Sequence, residues 1–165
     1  MDTKQGAKRK GPERVQAALA EAGLSIEVVQ LEESTRTAAL AAQALHTELG
    51  SIVKSLVFVA DGAPVLVLVA GDRRADVGCL KKLLKADKVA IADADTVRAA
   101  TGFAIGGVPP VGHAQSLPTW IDRSLGRFDT VYAAAGGPYA VFPISFAALV
   151  QVTGGQVVDV SENSE

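Results

Sequence analysis

The sequence predicts an α+β domain: a mixed, largely antiparallel sheet flanked by helices. Three observations carry that reading. Two β-branched runs, Ile52 to Val59 and Val65 to Val69, flank Asp61-Gly62, among the strongest short hairpin signals a chain can carry. Apolar stripes at three- and four-residue spacing, bounded by capping residues and glycines, mark helices between the strands. The elements follow neither a strict strand–helix alternation nor an unbroken series of strands, which sets aside a doubly wound parallel sheet and an all-β sandwich.

Taken in order, Gly11-Pro12 opens a first helix, because proline is tolerated in a first helical turn. Its stripe of Val15, Ala18, Leu19 and Ala22 ends at Gly23, a natural left-handed stop. Ile26 to Leu31 is predicted as a short strand. A second helix runs from Thr35 or Thr37 to Leu45, capped by a threonine hydroxyl and ending beside His46. After the hairpin, Asp72 to Asp76 leads into a helix with Leu80, Leu83 and Leu84 on one side and Lys81, Lys82, Lys85 and Lys88 mostly on the other. Val89 to Ile91 is a brief strand, and Asp93 or Asp95 caps a helix to about Ala100. Gly102, Gly106, Gly107, Pro109, Pro110 and Gly112 then make a constrained loop. Short strands at Thr119–Ile121, Thr130–Ala134 and Ala140–Phe142, a helix capped by Ser145 and a strand around Val157-Val158 complete the chain.

The 165 residues suit one domain, at about 150 residues each. Residues 1–11 are expected to be a basic tail, carrying Lys4, Lys8, Arg9 and Lys10, residues 12–160 the domain, and 161–165 a polar C-terminal end. A net charge of −2 argues against attachment to nucleic acid by overall charge, so any such contact is local. The single cysteine, Cys79, excludes an intramolecular disulfide and any C-x-x-C site, and lying beside leucines it reads as a small buried residue. Neither a secretory signal nor a membrane span is visible, so a soluble, cytoplasmic protein is expected.

Alternation along the first hairpin strand puts Ile52, Lys54, Leu56 and Phe58 on one face. Lys54 thus sits in an apolar row, where an unpaired ammonium costs several kcal/mol. It either snorkels to a rim or faces a cavity that admits an anion. The loop from Thr101 to His113 can present backbone N–H groups at a bend, as an oxyanion site requires, or serve as a rigid turn. His46, His113 and Cys79 match no zinc spacing, so no metal and no cofactor are expected. Of the two histidines, His113, next to the loop, is the better catalytic candidate. No G-x-S-x-G elbow is present, so a serine hydrolase has no support.

Read together, Thr37-x-x-x-Ala41-Ala42, Ile52-Val53-Lys54-Ser55-Leu56, Gly71-Asp72-Arg73-Arg74, the Thr101–Gly112 loop, Ile121-Asp122 and Ala135-Gly136-Gly137 resemble the YbaK family. That family is related to the insertion editing domain of bacterial prolyl-tRNA synthetase, and the likeness covers Glu13 to Gln156. It implies the YbaK-like fold and trans-editing: metal-independent hydrolysis of mischarged aminoacyl-tRNA, typically tRNA(Pro) bearing a small wrong amino acid. It implies catalytic roles for Lys54, Gly106, Gly107, Val108 and Pro110, and substrate contacts from Thr37, Phe58, Thr101, Gly102, Pro109, His113 and Gly136. The acceptor end of aminoacyl-tRNA and prolyl-tRNA synthetase are the implied partners; DNA and membranes are not. Many relatives carry serine where Pro109 stands, and Gly78-Cys79 interrupts a more regular helix position. The Gly136–Phe142 stretch resembles branches acting on alanine, serine or threonine more than the cysteine branch. A non-catalytic module that binds tRNA or a synthetase is the alternative.

Overall fold

The computed structural model describes residues 10–163; most of the expected basic tail, including Lys4, Lys8 and Arg9, lies outside them. The chain runs α1 (Gly11–Glu21), β1 (Val29–Gln30), α2 (Ala38–Leu45), a 3-10 turn (Leu49–Ser51), β2 (Ile52–Ala60) and β3 (Ala63–Ala70). It continues through β4 (Arg73–Ala75), α3 (Val77–Leu84), β5 (Val89–Ile91), α4 (Ala94–Thr101) and β6 (Thr119–Asp122). A 3-10 turn (Arg123–Arg127), β7 (Thr130–Ala134), β8 (Ala140–Ser145), α5 (Phe146–Thr153), β9 (Gln156–Val158) and β10 (Ser161–Asn163) follow.

The main sheet has the order β1-β8-β7-β2-β3-β6-β9, with β5 also on β2, and β10 pairs β4 in a separate two-stranded ribbon. In the main sheet β1–β8, β7–β8, β2–β3 and β2–β5 are antiparallel, whereas β2–β7, β3–β6 and β6–β9 are parallel. The mixed sheet flanked by helices is therefore the architecture. The hairpin turns at Asp61 and Gly62, both with positive φ (47° and 87°), as the tight turns that match strand twist require. Asp61 is anchored further by accepting from the N–H groups of Asp87 and Lys88.

β3 is buried on both faces from Val65 onward, and so reads as a continuous apolar run. Leu66 and Leu68 join Val53 and Val57 in the larger core, under Val15 and Leu19 of α1, Val97 of α4 and Leu149 of α5. Val65, Val67 and Val69 join Phe58 and Leu80 of α3 on the opposite face. Side-chain caps start the helices where polar residues precede apolar runs: Thr37 accepts from Leu40 N–H, Asp76 from Cys79, Asp93 from Thr96 and Ser145 from Ala148.

The structure departs from the sequence expectation at several points, the strand β4 in the segment expected only to lead into a helix among them. The strand expected over Ile26 to Leu31 shrinks to Val29–Gln30, because Gln16 of α1 intercepts its backbone, donating to the Ile26 carbonyl (2.7 Å) and accepting from Val28 N–H (2.8 Å). Ser161–Asn163, expected as part of a polar end, forms β10 on β4, and Asp76 N–H donates to the Val160 carbonyl beside it (2.7 Å). Cys79 is exposed, since α3 turns Leu80 inward and its neighbour follows about 100° behind. Helix α3 passes through Gly78-Cys79 without interruption.

Asp122 fastens the end of β6 to the β10 segment. Its buried carboxylate accepts from Val160 N–H (2.8 Å), the Ser161 hydroxyl (2.6 Å), Ser124 N–H (3.1 Å) and the Ser124 hydroxyl. Burial pushes its pKa up, but these four donors outweigh burial and hold it below the usual carboxylate value. Asp122→Asn is expected to cost about 3 kcal/mol, the scale of hydrogen bonds to a charged group. In thermal unfolding the midpoint falls by about 6–12 °C; a shift under 2 °C, taken as roughly the error of a melt, refutes this. Because the folded pKa is depressed, the contribution is complete above the unfolded aspartate value and is lost as pH falls through the folded one.

Candidate active site

The outer edge of β2 is shared by two strands with a gap between them. β7 pairs it at Ile52 and Val53, and β5 pairs it from Phe58 to Ala60. Along Lys54 to Val57 no strand of the described residues lies on that side. A cavity of about 380 Å³ opens there, walled by α2, β2, the end of β5 and the glycine-proline loop. That volume falls within the range of small-ligand sites. Its lining is mostly apolar, and among the described residues Lys54 and Arg36 are its cationic side chains.

Lys54 is half-buried in the cleft wall, and its ammonium donates to the Arg73 carbonyl of β4. Burial lowers its pKa; the Asp72 carboxylate opposes that and the Arg74 cation adds to it. Asp72 itself is gripped at two oxygens by Arg127 (2.7 and 3.1 Å), whose hydrogen bonds hold its carboxyl below the usual range. Of the ammonium's three donors one is taken by the Arg73 carbonyl, which leaves two for a ligand.

The loop is held from outside. Arg14 of α1 donates to the carbonyls of Gly102 and Gly112 (both 3.3 Å) and stacks over the Phe103 ring at 4.4 Å. Ala114 N–H closes the base on the Thr101 carbonyl (2.9 Å). Within the loop, Gly107 N–H is taken by the Ala104 carbonyl (3.1 Å), and the Gly107 carbonyl accepts from Gly136 N–H (2.9 Å). A β-carbon on Gly107 would stand 2.9 Å from the Gly137 nitrogen. Gly106 carries the positive φ, 92°, so the conformational need for glycine falls on Gly106 and the steric need on Gly107.

Of the candidate residues, Lys54, Gly106, Val108 and Thr37 line the cleft together. Gly107, Pro109 and Pro110 are buried parts of the loop that lie outside the lining. Gly136 packs against Gly11, whose hypothetical β-carbon would meet the Gly136 oxygen at 1.9 Å. Phe58 lies in the core opposite. Thr101 is fully buried, donating to the Val97 carbonyl and accepting from Phe103 N–H. Gly102 ends α4 with φ 83°. These residues shape the site without touching the cavity.

The lining also contains residues that the sequence reading gave no role in the site: Arg36, Ile105, Tyr132, Val141 and Ser55. Among the described residues, the Ser55 hydroxyl is the buried side-chain polar atom without a hydrogen-bond partner. It stands next to Lys54 in the Lys-Ser-Leu motif, and a buried orphan hydroxyl costs about 1–3 kcal/mol unless a ligand or water satisfies it. The Cys79 thiol is a poor nucleophile candidate: its bond to Asp76 pushes its pKa up, disfavouring the thiolate.

His113 is tied to the loop through Nε2 and the Pro109 carbonyl (2.7 Å). A carbonyl only accepts, so Nε2 carries the proton. Burial lowers the His113 pKa, the Pro109 bond opposes this and the Arg14 cation adds to it. The unfolded chain therefore binds more protons, and the neutral histidine's contribution to stability is full above about pH 6.5 and is lost as pH falls. Urea midpoints at pH 7.5 and 5.5 are expected to drop more for the wild type than for His113→Asn; equal drops refute the assignment.

Fold and cleft together define a small domain with a cleft of small-ligand size at a gap in its sheet, between one lysine and a glycine-rich loop. A family model described as the aminoacyl-tRNA editing domain matches residues 32–152, and the chain belongs to that family. It is 29% identical over 124 residues to the proposed Cys-tRNA(Pro)/Cys-tRNA(Cys) deacylase EbsC of Enterococcus faecalis, covering 73% of this chain and 74% of that protein. It is 45% identical over 85 residues to a proline–tRNA ligase of Desulfovibrio desulfuricans, 51% of this chain, and spans only 14% of that ligase. A crystal structure of a proposed trans-editing enzyme for prolyl-tRNA synthetase superposes with a TM-score of 0.88 at 45% identity, covering 94% of this chain and 99% of that one. No helix among the described residues is long and apolar enough to cross a membrane.

Proposed function

We propose that the protein is a trans-editing deacylase that hydrolyses the ester of mischarged tRNA(Pro) bearing a small amino acid, with alanine, serine or threonine preferred over cysteine. The observation that carries this reading is the apolar cleft at the β2 gap, with the Lys54 ammonium on one wall and Gly106 and Val108 on another. An aminoacyl ester presents a small side chain to the apolar lining and a carbonyl to the donors. Water adds to that carbonyl, the developing oxyanion is met by Lys54 and by loop N–H groups, and the ribose oxygen leaves with a proton. The Gly106 and Val108 N–H groups donate to no protein acceptor among the described residues, and each such donor is worth roughly 2.7–4 kcal/mol in a transition state. Thr37 caps α2 beside the cleft, while Pro109, Pro110, His113 and Gly136 hold the loop in shape.

The test is a panel of tRNA(Pro) charged separately with alanine, serine, threonine, cysteine and proline, with the surviving ester counted over time. At least one mischarged species is expected to be hydrolysed faster than Pro-tRNA(Pro), with EDTA leaving the rate unchanged. No turnover across the panel would favour a binding module, and activity lost to chelator and restored by zinc would overturn metal independence.

A further inference from the structure

We infer that Lys81 of α3, Lys85 at its C-terminal cap and Lys88 just beyond form the surface that takes the phosphates of the RNA whose aminoacylated end enters the cleft. The inference rests on the deacylase reading and extends it to the partner's backbone. The chain carries a net charge of −2, yet residues 81–88 hold four lysines against Asp87 alone. All four lysines are exposed, and the ion pairs among the described residues, Arg74–Glu162, Arg123–Asp159 and Arg127–Asp72, engage none of them. Two carboxylates are nearby: Asp61 and Asp87 share a shallow recess with Lys81 and Lys88. That of Asp61 is committed to the main-chain N–H groups of Asp87 and Lys88.

Placement connects this surface to the site. Leu80 and Leu84 seat α3 against Leu56 and Phe58, the residues that share a face of β2 with Lys54 by strand alternation. The lysines are therefore presented on the side of the sheet from which Lys54 projects. From Lys88 the chain runs directly along β5 to Ile91, which lines the cavity and is 61% exposed at its mouth. Three strand residues span about 10 Å, and Lys81, in the last turn of α3, and Lys85, its C-cap, stand about 6 Å apart along the helix axis. A strand leaving the cleft past Ile91 would bring successive phosphates over this row, where local positive charge matches one negative charge per nucleotide.

The experiment compares the wild type with the triple variant Lys81→Gln/Lys85→Gln/Lys88→Gln on two substrates carrying the same amino acid: full-length mischarged tRNA and an aminoacyl-adenosine, which has no phosphate. For tRNA, KM in 50 mM salt should rise about tenfold or more, and the slope of log KM against log salt should fall by about 3, roughly one per lost phosphate contact. Both kcat on tRNA and turnover of aminoacyl-adenosine should stay at the wild-type level. A triple variant with wild-type KM and salt slope overturns the inference, as does an equal loss on both substrates, which would mean a damaged site. If the wild type hydrolyses neither substrate, the deacylase reading fails. Fluorescence anisotropy with uncharged tRNA then decides the surface alone: about tenfold weaker binding by the variant sustains it, and equal binding removes it.

Discussion

Replacing Lys54 with alanine is expected to lower deacylation at least about tenfold, ~1.4 kcal/mol in the barrier, while the thermal midpoint moves little. The asymmetry comes from the lysine's surroundings. Its ammonium is partly desolvated and bonded to a single carbonyl, that of Arg73, so removing it relieves a buried charge while freeing one acceptor, two effects of opposite sign. Lys54→Met keeps the aliphatic stem against the cleft wall and removes the charge, and should be as inactive as the alanine variant. Because burial lowers the Lys54 pKa, the cation is lost earlier than in an ordinary lysine as pH rises. After subtraction of uncatalysed hydrolysis, the wild-type rate should fall on the alkaline side, and that limb should be absent from Lys54→Met. A Lys54→Ala protein within twofold of wild-type activity would remove the lysine from the mechanism, since twofold is only about 0.4 kcal/mol.

Gly107→Val is expected to inactivate by moving the loop. The Gly107 position faces the Gly137 main chain, with nitrogen, Cα and carbonyl carbon at 2.9, 3.1 and 3.2 Å from a β-carbon placed there, and a backbone neighbour cannot swing aside as a flexible side chain can. The loop must separate from the Ala135–Gly137 turn, carrying Gly106 and Val108 with it and breaking the Gly136–Gly107 hydrogen bond. A displacement near 1 Å at a reacting centre costs about 100-fold in rate, and the forced fit costs about 1–3 kcal/mol in stability. Activity assays and thermal melts on Gly107→Ala and Gly107→Val should show graded loss; full activity in the valine variant would show that the loop does not position the ester.

Much of this architecture is legible in local chemistry. Asp61-Gly62 supplies the positive φ values of the hairpin, and Thr37, Asp76, Asp93 and Ser145 cap helices within three residues of themselves, so short-range rules reach them. Ile26–Leu31 misleads because its fate is decided by Gln16 on another element. β10 is invisible because Ser161, Glu162 and Asn163 show no apolar alternation and are recruited by pairing with β4.

The site divides in the same way. Lys54 stands out because a cation in an apolar row demands a local explanation, and the loop because its glycines and prolines restrict its shape. Arg36, Ile105, Tyr132 and Val141 carry no such mark: each is an ordinary residue that the gap between β5 and β7 brings to one cavity. The gap itself depends on two distant strands sharing one edge of β2, a pairing no local pattern encodes. Phe58 illustrates the converse, since alternation places it on the same face as Lys54 but its burial under α3 directs it into core.

The clamp from Arg14 bears on where this domain can be cut. The match to the family model begins at residue 32, yet the guanidinium that joins both ends of the loop, and the Val15 and Leu19 side chains at the centre of the larger core, all lie upstream of it. Val160, buried in the second core, and the Ser161 hydroxyl that Asp122 binds lie downstream of residue 152. The stretch that the family model matches is thus smaller than the folded core around the cleft. An excised 32–152 fragment would keep every residue that lines the cleft while losing the scaffold that holds it open. Grafting the activity into another protein therefore requires carrying α1 and the β10 ribbon with it.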